Sequence, residues 1–249
     1  MNNQHILLDY DNYVKDYKSI YGKNTIILIQ LGSFFEMCYD IDNNNDIGEK
    51  NIHNICDNVL NIAVGKKYYK TKNDVTGILE QKNYLMAGFP LISQEKHLTT
   101  LLENNYTIVL VEQITEPPNP ERKVTQILSP GTNIFHNKRC SNYLLSIYIE
   151  KFNYQNKDIF QAGVSAIDLS TGKNYIHQIS HNNDNDFCFD EISRLINFYN
   201  ASELIFQTEN FNLTQDDIIN KWDINHDCFR INHLNDTILK KPSYQNDIL

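Results

Sequence analysis

Long apolar runs, paired cysteines and an excess of basic charge are all missing from these 249 residues. No stretch approaches the ~18 consecutive apolar residues of a membrane span, which argues against a membrane protein. The five cysteines (Cys38, Cys56, Cys140, Cys188 and Cys228) are odd in number and widely spaced, and none forms a C-x-x-C pair. That pattern argues against a disulfide framework and fits an intracellular, reducing compartment. His136 and Cys140 stand four apart without a second pair nearby, so no metal site is expected. The N-terminus, MNNQHILLDYDNYVKDYKSIYG, is acidic and free of arginine, unlike a signal or transit peptide. Lysine and arginine number 22 against 31 aspartates and glutamates, a net charge of −9. A chain that held nucleic acid by bulk electrostatics would need the opposite balance. There is no G-x-x-x-x-G-K-[ST]; the nearest string, YGKNT, lacks the upstream glycine and the spacing. A Rossmann glycine pattern, long heptads and internal repeats are missing too.

What is present supports real cores. Hydrophobic residues make up 41% and aromatics number 28, while the charged fraction of 21% confines disorder to local segments. The length suits one large domain or two ordinary ones. Asparagine (34) and isoleucine (31) are abundant; both have AT-rich codons, so their use reads as genome composition. Tyr10, Tyr13, Val14, Tyr17, Ile20 and Tyr21 recur at helical spacing, with Asp9 as a cap and Gly22 as the stop. The apolar strand TIILIQL follows, then GSFFEMCYD. Ile47, Ile52, Ile55 and Val59 suggest a second helix behind the turn Asn43–Asn45. LMAGFP (85–90) reads as a compact loop punctuated by Gly88 and Pro90. Ser93 caps a helix with Leu98, Leu101 and Leu102 on its apolar side, and YTIVLVEQI (106–114) is a strand. TEPPNPER, with three prolines in eight residues, cannot be regular structure. The strand KVTQILSP then runs into Pro130-Gly131, where the pattern restarts. The expected division is therefore 1–130 and 131–249. Beyond it come the strand YLLSIYIEKF (143–152), a hairpin turning at Thr171-Gly172, a helix striped by Phe189, Ile192, Leu195, Ile196 and Tyr199, the strand SELIF and the helix TQDDIINKW. Alternating strands and helices give α/β in both halves.

Phe34-Phe35-Glu36 is the unusual feature. As a strand it puts Phe34, Glu36 and Cys38 on one face and Phe35, Met37 and Tyr39 on the other. Taken alone, such a tripeptide is ordinary half-buried sheet. The densest basic patch, GKKYYKTK, carries Lys66, Lys67, Lys70 and Lys72; it is either a solvated rim or a source of a few phosphate contacts.

Three stretches in fixed order change that balance: GSFFEMCYD at 32–40, MAGFP at 86–90, and ERKVTQILSPGT at 121–132 behind the strand VLVEQI. Together they resemble the start of the MutS family of DNA mismatch-repair proteins, and GVSAIDLSTGK resembles the first hairpin of that family's connector domain. The resemblance covers roughly residues 20–210. Cys38 departs from it, standing where an aromatic is usual. It implies a mixed-sheet α/β mismatch-recognition domain followed by a ribonuclease H-like connector. It also implies that Phe34 wedges into the minor groove of double-stranded DNA at a mispaired base and that Glu36 hydrogen-bonds to that base. A wedge must unstack a base step, at a cost of roughly a few kcal/mol, and a mismatch lowers that cost. Phe suits the task because its face stacks on any base. Met86, Lys66, Lys67 and Arg122 are further DNA-contact candidates, each with packing or solvated surface as its bland alternative.

No catalytic residue, and no cofactor for this chain, is expected. ATP and Mg belong to the family's C-terminal P-loop domain, and a second MutS subunit and downstream repair proteins to its full-length members. With neither P-loop nor lever helices, the chain reads as an N-terminal fragment or truncated copy. Two rival classes remain open. One is a ribonuclease H-like nuclease using Asp168, which would need further converging carboxylates such as Asp190 and Glu191. The other is an interaction module without DNA recognition.

Overall fold

Five consecutive buried residues, Thr25 to Ile29, form a strand covered on both faces, and the first sheet is built around it. The computed structural model describes residues 3–41, 47–72, 79–116, 118, 120–133, 142–180, 185–224 and 229–231. The Asn43–Asn45 turn, His136, Cys140 and Cys228 lie outside them. The chain divides into two compact units, Met1–Arg139 and Cys140–Leu249.

In the first unit, α1 (Asn3–Tyr21) leads into β1 (Thr25–Leu31), β2 (Phe34–Asp40) and α2 (Ile52–Asn54), which continues as a π-helix over Ile55–Leu60. β3 (Gly65–Lys72), β4 (Leu79–Pro90), α3 (Gln94–Glu103), β5 (Thr107–Gln113) and β6 (Arg122–Leu128) complete it. The sheet order is β3-β4-β2-β1-β5-β6, with β1 and β5 parallel and every other pair antiparallel. The helix expected to start at an Asp9 cap begins six residues earlier. Leu7, Tyr10 and Val14 form its buried stripe, while Ile20 is 64% exposed. Gly22 ends it as expected, at φ +90°, with its N–H on the Lys18 carbonyl. Only part of the second expected helix forms: Ile47 lies ahead of it, and Ile55 and Val59 fall in the π-helical turn.

The larger correction concerns LMAGFP, which is strand and not loop. Residues 84–90 pair one for one with 34–40, and Tyr84, Ala87 and Phe89 are buried. Gly88 looked like punctuation, yet it stands where two strands come close. A Cβ there would lie 2.2 Å from the Phe35 carbonyl oxygen. Pro90 is tolerated because it is the strand's last residue.

In the second unit, β7 (Tyr143–Tyr154), β8 (Lys157–Asp168) and β9 (Lys173–Ile179) form an antiparallel meander. Then come α4 (Asn185–Tyr199), β10 (Glu203–Glu209), α5 (Gln215–Trp222) and β11 (Phe229–Ile231). The order is β11-β10-β7-β8-β9, with β10 parallel to both β7 and β11. Leu145, Ile147, Val164, Ile192, Leu195, Phe206 and Trp222 share its core. The fold is thus α/β with two mixed sheets.

Asparagine performs a task that glycine usually has. Asn61, Asn105, Asn156, Asn200 and Asn210 all take φ between 46° and 61°. Asn61 closes the π-helix, and Asn105 and Asn200 follow α3 and α4. Asparagine pays less than other L residues for this left-handed conformation because its short polar side chain bonds locally. A chain with nine glycines can therefore still end its helices sharply.

Candidate nucleic-acid interface

Phe34 starts β2 directly after the two-residue turn Gly32-Ser33, where Leu31 pairs with Phe34 and Gly32 takes φ +61°. Alternation along β2 then separates the two adjacent phenylalanines. Phe35 is 0% exposed and meets Phe89 at a ring distance of 6.4 Å; Phe89 in turn stacks on His97 of α3 at 4.4 Å. Phe34 faces the other way and is 44% exposed. Burial of Phe35 supplies roughly 1.5–3 kcal/mol of hydrophobic stabilisation, so that ring is structural. Phe34 obtains little of this.

The same end of the sheet holds a second turn. Pro90 pairs with Phe34, and the Leu91 N–H donates to the Ser33 carbonyl at 2.9 Å, tying the two turns together. Ile92, next in the chain, is 98% exposed. Two apolar side chains thus project from one tip. Sequence reasoning passed over Ile92, since an isoleucine beside a buried strand gives no sign of facing solvent.

Glu36 shares the face of Phe34 and is half-buried. Its register partner is Gly88, whose missing side chain leaves space for the Glu36 side chain: a Cβ at Gly88 would come within 2.8 Å of Glu36 Cγ. Burial raises the Glu36 pKa above the usual carboxylate value, and the positive charge of Lys67 partly offsets this. A carboxyl so placed takes up a proton more readily than an exposed one.

Register places the remaining candidates. Met86 pairs with Cys38, and Lys67 pairs with Tyr84 opposite Asp40, so both share the Phe34–Glu36 face. Met86 is half-buried and Lys67 exposed. Lys66 pairs with Leu85 opposite Tyr39, which puts it on the Phe35 face. Arg122 belongs to the edge strand β6, where its Nε–H donates to the Gln30 carbonyl at 3.0 Å. Phe34, Glu36, Met86 and Lys67 therefore lie on one surface, Lys66 lies behind it, and Arg122 is engaged at the base of the tip.

Asp168 ends β8, fully buried. One carboxylate oxygen accepts the Ser170 N–H and hydroxyl at 3.0 and 2.6 Å, and the other accepts the Thr171 hydroxyl at 2.8 Å. Burial alone would raise its pKa, but these bonds outweigh it and hold the group below its ordinary value. The carboxylate is thus occupied with capping its own turn. Glu191 binds Arg194 through two nitrogens. Among the described residues, no group of three or more His, Cys, Asp or Glu is placed to hold a metal ion, and no helix is long and apolar enough to cross a membrane.

The family model for MutS domain I matches residues 56–137, from the π-helical turn through β6 and beyond. A DNA mismatch repair protein mutS homolog of Acanthamoeba polyphaga mimivirus is 30% identical over 208 residues, covering 82% of this chain and 18% of that protein. The chain belongs to the MutS family. DNA mismatch repair protein MutS of Caldanaerobacter subterraneus is 28% identical over 194 residues (75% of this chain, 19% of that protein). The mitochondrial mutS homolog of Sarcophyton glaucum is 25% identical over 214 residues (80% and 20%). The chain spans about a fifth of the length of these MutS relatives. Its domain I match begins downstream of Phe34 and Glu36, so their assignment rests on the motif and on geometry.

Proposed function

We propose that this chain recognises mispaired bases in double-stranded DNA for mismatch repair, with Phe34 as a minor-groove wedge and Glu36 as the group that bonds to the displaced base. The observation that carries this reading is the split between two adjacent phenylalanines: Phe35 is 0% exposed and Phe34 is 44% exposed at the free end of the sheet. An exposed ring on a rigid strand end can enter a base step, and the cost of unstacking is lowest where pairing is already defective. Glu36 lies two residues along on the same face, with its pKa raised by burial. Beside phosphates it is raised further, so the protonated carboxyl donates to a base nitrogen. On perfect duplex, which offers no such acceptor, the charge repels, and Glu36 contributes specificity more than affinity. Lys67 and Met86, on the same face, would meet the backbone and the groove.

For the second unit, three antiparallel strands with two parallel strands added beside the first support the ribonuclease H-like connector reading. The self-capped Asp168 favours a connector over a nuclease. ATP and Mg, a second subunit and downstream repair proteins belong to the family's full-length members under the same reading.

The test uses the longest form of this protein that can be purified. Phe34→Ala should abolish the preference for a single-mismatch duplex while matched-duplex binding falls much less, because the latter depends on phosphate contacts. The melting temperature of Phe34→Ala should stay close to wild type, whereas Phe35→Ala should cost about 3–5 kcal/mol. Loss of mismatch preference in a folded Phe35→Ala, with Phe34→Ala unaffected, would reverse the assignment.

A further inference from the structure

A wedge that must kink DNA works only if the protein beneath it does not yield first. The turn that delivers Phe34 is two residues long and at the edge of solvent, and nothing in Gly32-Ser33 itself is stiff. Stiffness has to come from its base. There, β1 changes character: after five buried residues it ends in Gln30 and Leu31.

Gln30 is the centre of a closed set of hydrogen bonds drawn from three strands. Its carbonyl accepts from Gln113 Nε2 at 3.2 Å and from Arg122 Nε at 3.0 Å. Its side-chain Oε1 accepts the Gln113 backbone N–H at 2.9 Å, and its Nε2 donates to the Gly32 carbonyl at 3.1 Å. Gln113 and Arg122 are themselves register partners on β5 and β6. One side chain thus links the first turn residue to the neighbouring strand, while two others hold the main chain from which the turn springs. A guanidinium is suited to this because its donors sit in a fixed planar fork, which a lysine lacks. The expectation that Arg122 contacts phosphate leaves this bond unexplained.

We infer that Gln30, Gln113 and Arg122 form a positioning network that fixes the Phe34 tip, and that Arg122 serves DNA recognition through Gln30 and not through a phosphate. The link to recognition rests on the proposed role of Phe34; the clamping of the tip does not. Displacing a preorganised group by even about half an ångström forfeits much of its effect, so loosening the network should weaken discrimination and leave the general grip on duplex intact.

Three variants test this: Arg122→Lys keeps the charge and loses the fork, Arg122→Met loses both, and Gln113→Leu removes a donor without touching charge. Amide exchange at Gly32 to Phe34, measured on the 249-residue chain, should speed up about tenfold in each, the effect of one lost hydrogen bond. Exchange in the interior of β5 should not change. In the longest form that can be purified, the matched-to-mismatched ratio of dissociation constants should fall several-fold in all three. Affinity for matched duplex, and its salt slope, should stay as in wild type. A phosphate contact gives a different pattern: Arg122→Met lowers the salt slope by about one, Arg122→Lys restores it and Gln113→Leu does nothing. That result, or unchanged tip exchange in all three variants, overturns the proposal. If the wild-type protein shows no mismatch preference but the variants still release the tip, the clamp stands and the role of Phe34 falls. If Arg122→Met fails to fold, Gln113→Leu and Arg122→Lys carry the same comparison.

Discussion

Gly88→Ala asks whether two strands of the first sheet can tolerate a single methyl group between them. The added Cβ would lie 2.2 Å from the Phe35 carbonyl oxygen, 2.8 Å from Glu36 Cγ and 2.9 Å from Glu36 Cα. Favourable carbon contacts begin near ~3.5 Å, so β2 and β4 must part by about 1 Å. Two of the three obstructing atoms are backbone and cannot rotate aside. Parting breaks the ladder around the Phe35–Phe89 and Glu36–Gly88 pairs, at about 1 kcal/mol for each of roughly two hydrogen bonds. Overpacking beside Phe35 and Phe89 adds about 1–3 kcal/mol. Against this stands a gain of about 0.5–1 kcal/mol from removing a flexible glycine. The net is a loss of about 3 kcal/mol, or about 10 °C in melting temperature for a domain of this size. Gly65→Ala is the control from the neighbouring strand β3. Its Cβ would meet only the Met86 carbonyl oxygen at 3.6 Å, so it should stay within about 0.5 kcal/mol of wild type. Urea denaturation followed by tyrosine fluorescence and far-UV circular dichroism would measure both. The single tryptophan, Trp222, belongs to the second unit and reports that unit separately. Equal stability of the Gly88 and Gly65 variants would refute the close-approach argument.

Two further outcomes follow from charge. The pKa of Glu36 is raised in the folded protein above an unfolded value of about 4.3. Between those two values the folded state holds more protons, so stability falls as pH rises through the window and the full cost is present above it. Glu36→Gln should therefore match wild type in thermal melts below about pH 4 and become the more stable of the two towards neutrality; a constant difference across pH would contradict this. Separately, the isolated 249-residue chain carries a net charge of −9 and must hold DNA through a few local lysines. Fluorescence anisotropy over a salt series should give dissociation constants on the order of micromolar or weaker, with poor mismatch selectivity; nanomolar, selective binding would disprove it.

The apolar pattern was a good guide to the elements, and residues typical of turns and caps were a poor guide to their limits. Leu98, Leu101 and Leu102 marked α3 correctly, and the split of Phe34 from Phe35 followed from strand alternation alone. LMAGFP misled because its glycine and proline are the usual marks of a turn. At Gly88 the constraint is the main chain of a neighbouring strand, a long-range fact that no local window contains. The start of α1 was missed for a related reason. Asp9 has the chemistry of a cap, but Leu7 and Tyr10 bury against the sheet, and that packing extends the helix through it.

The candidate site shows the same division between local and distant causes. Strand alternation puts Phe34 and Glu36 on one face from the tripeptide alone, whereas the roles proposed for them come from the family resemblance. Lys66 and Lys67 could not be told apart as charges; only pairing with β4 sends one to each face. Arg122 was visible as a cation and its partner was not, since Gln30 lies 92 positions away. A side chain chosen for its charge can thus be spent on geometry. If Phe34 is the wedge proposed above, the arginine that steadies the Gln30 carbonyl beneath it would contribute to discrimination without meeting a phosphate. The residues that set specificity then extend past those that touch the ligand, and they are found by tracing hydrogen bonds back from the exposed ring.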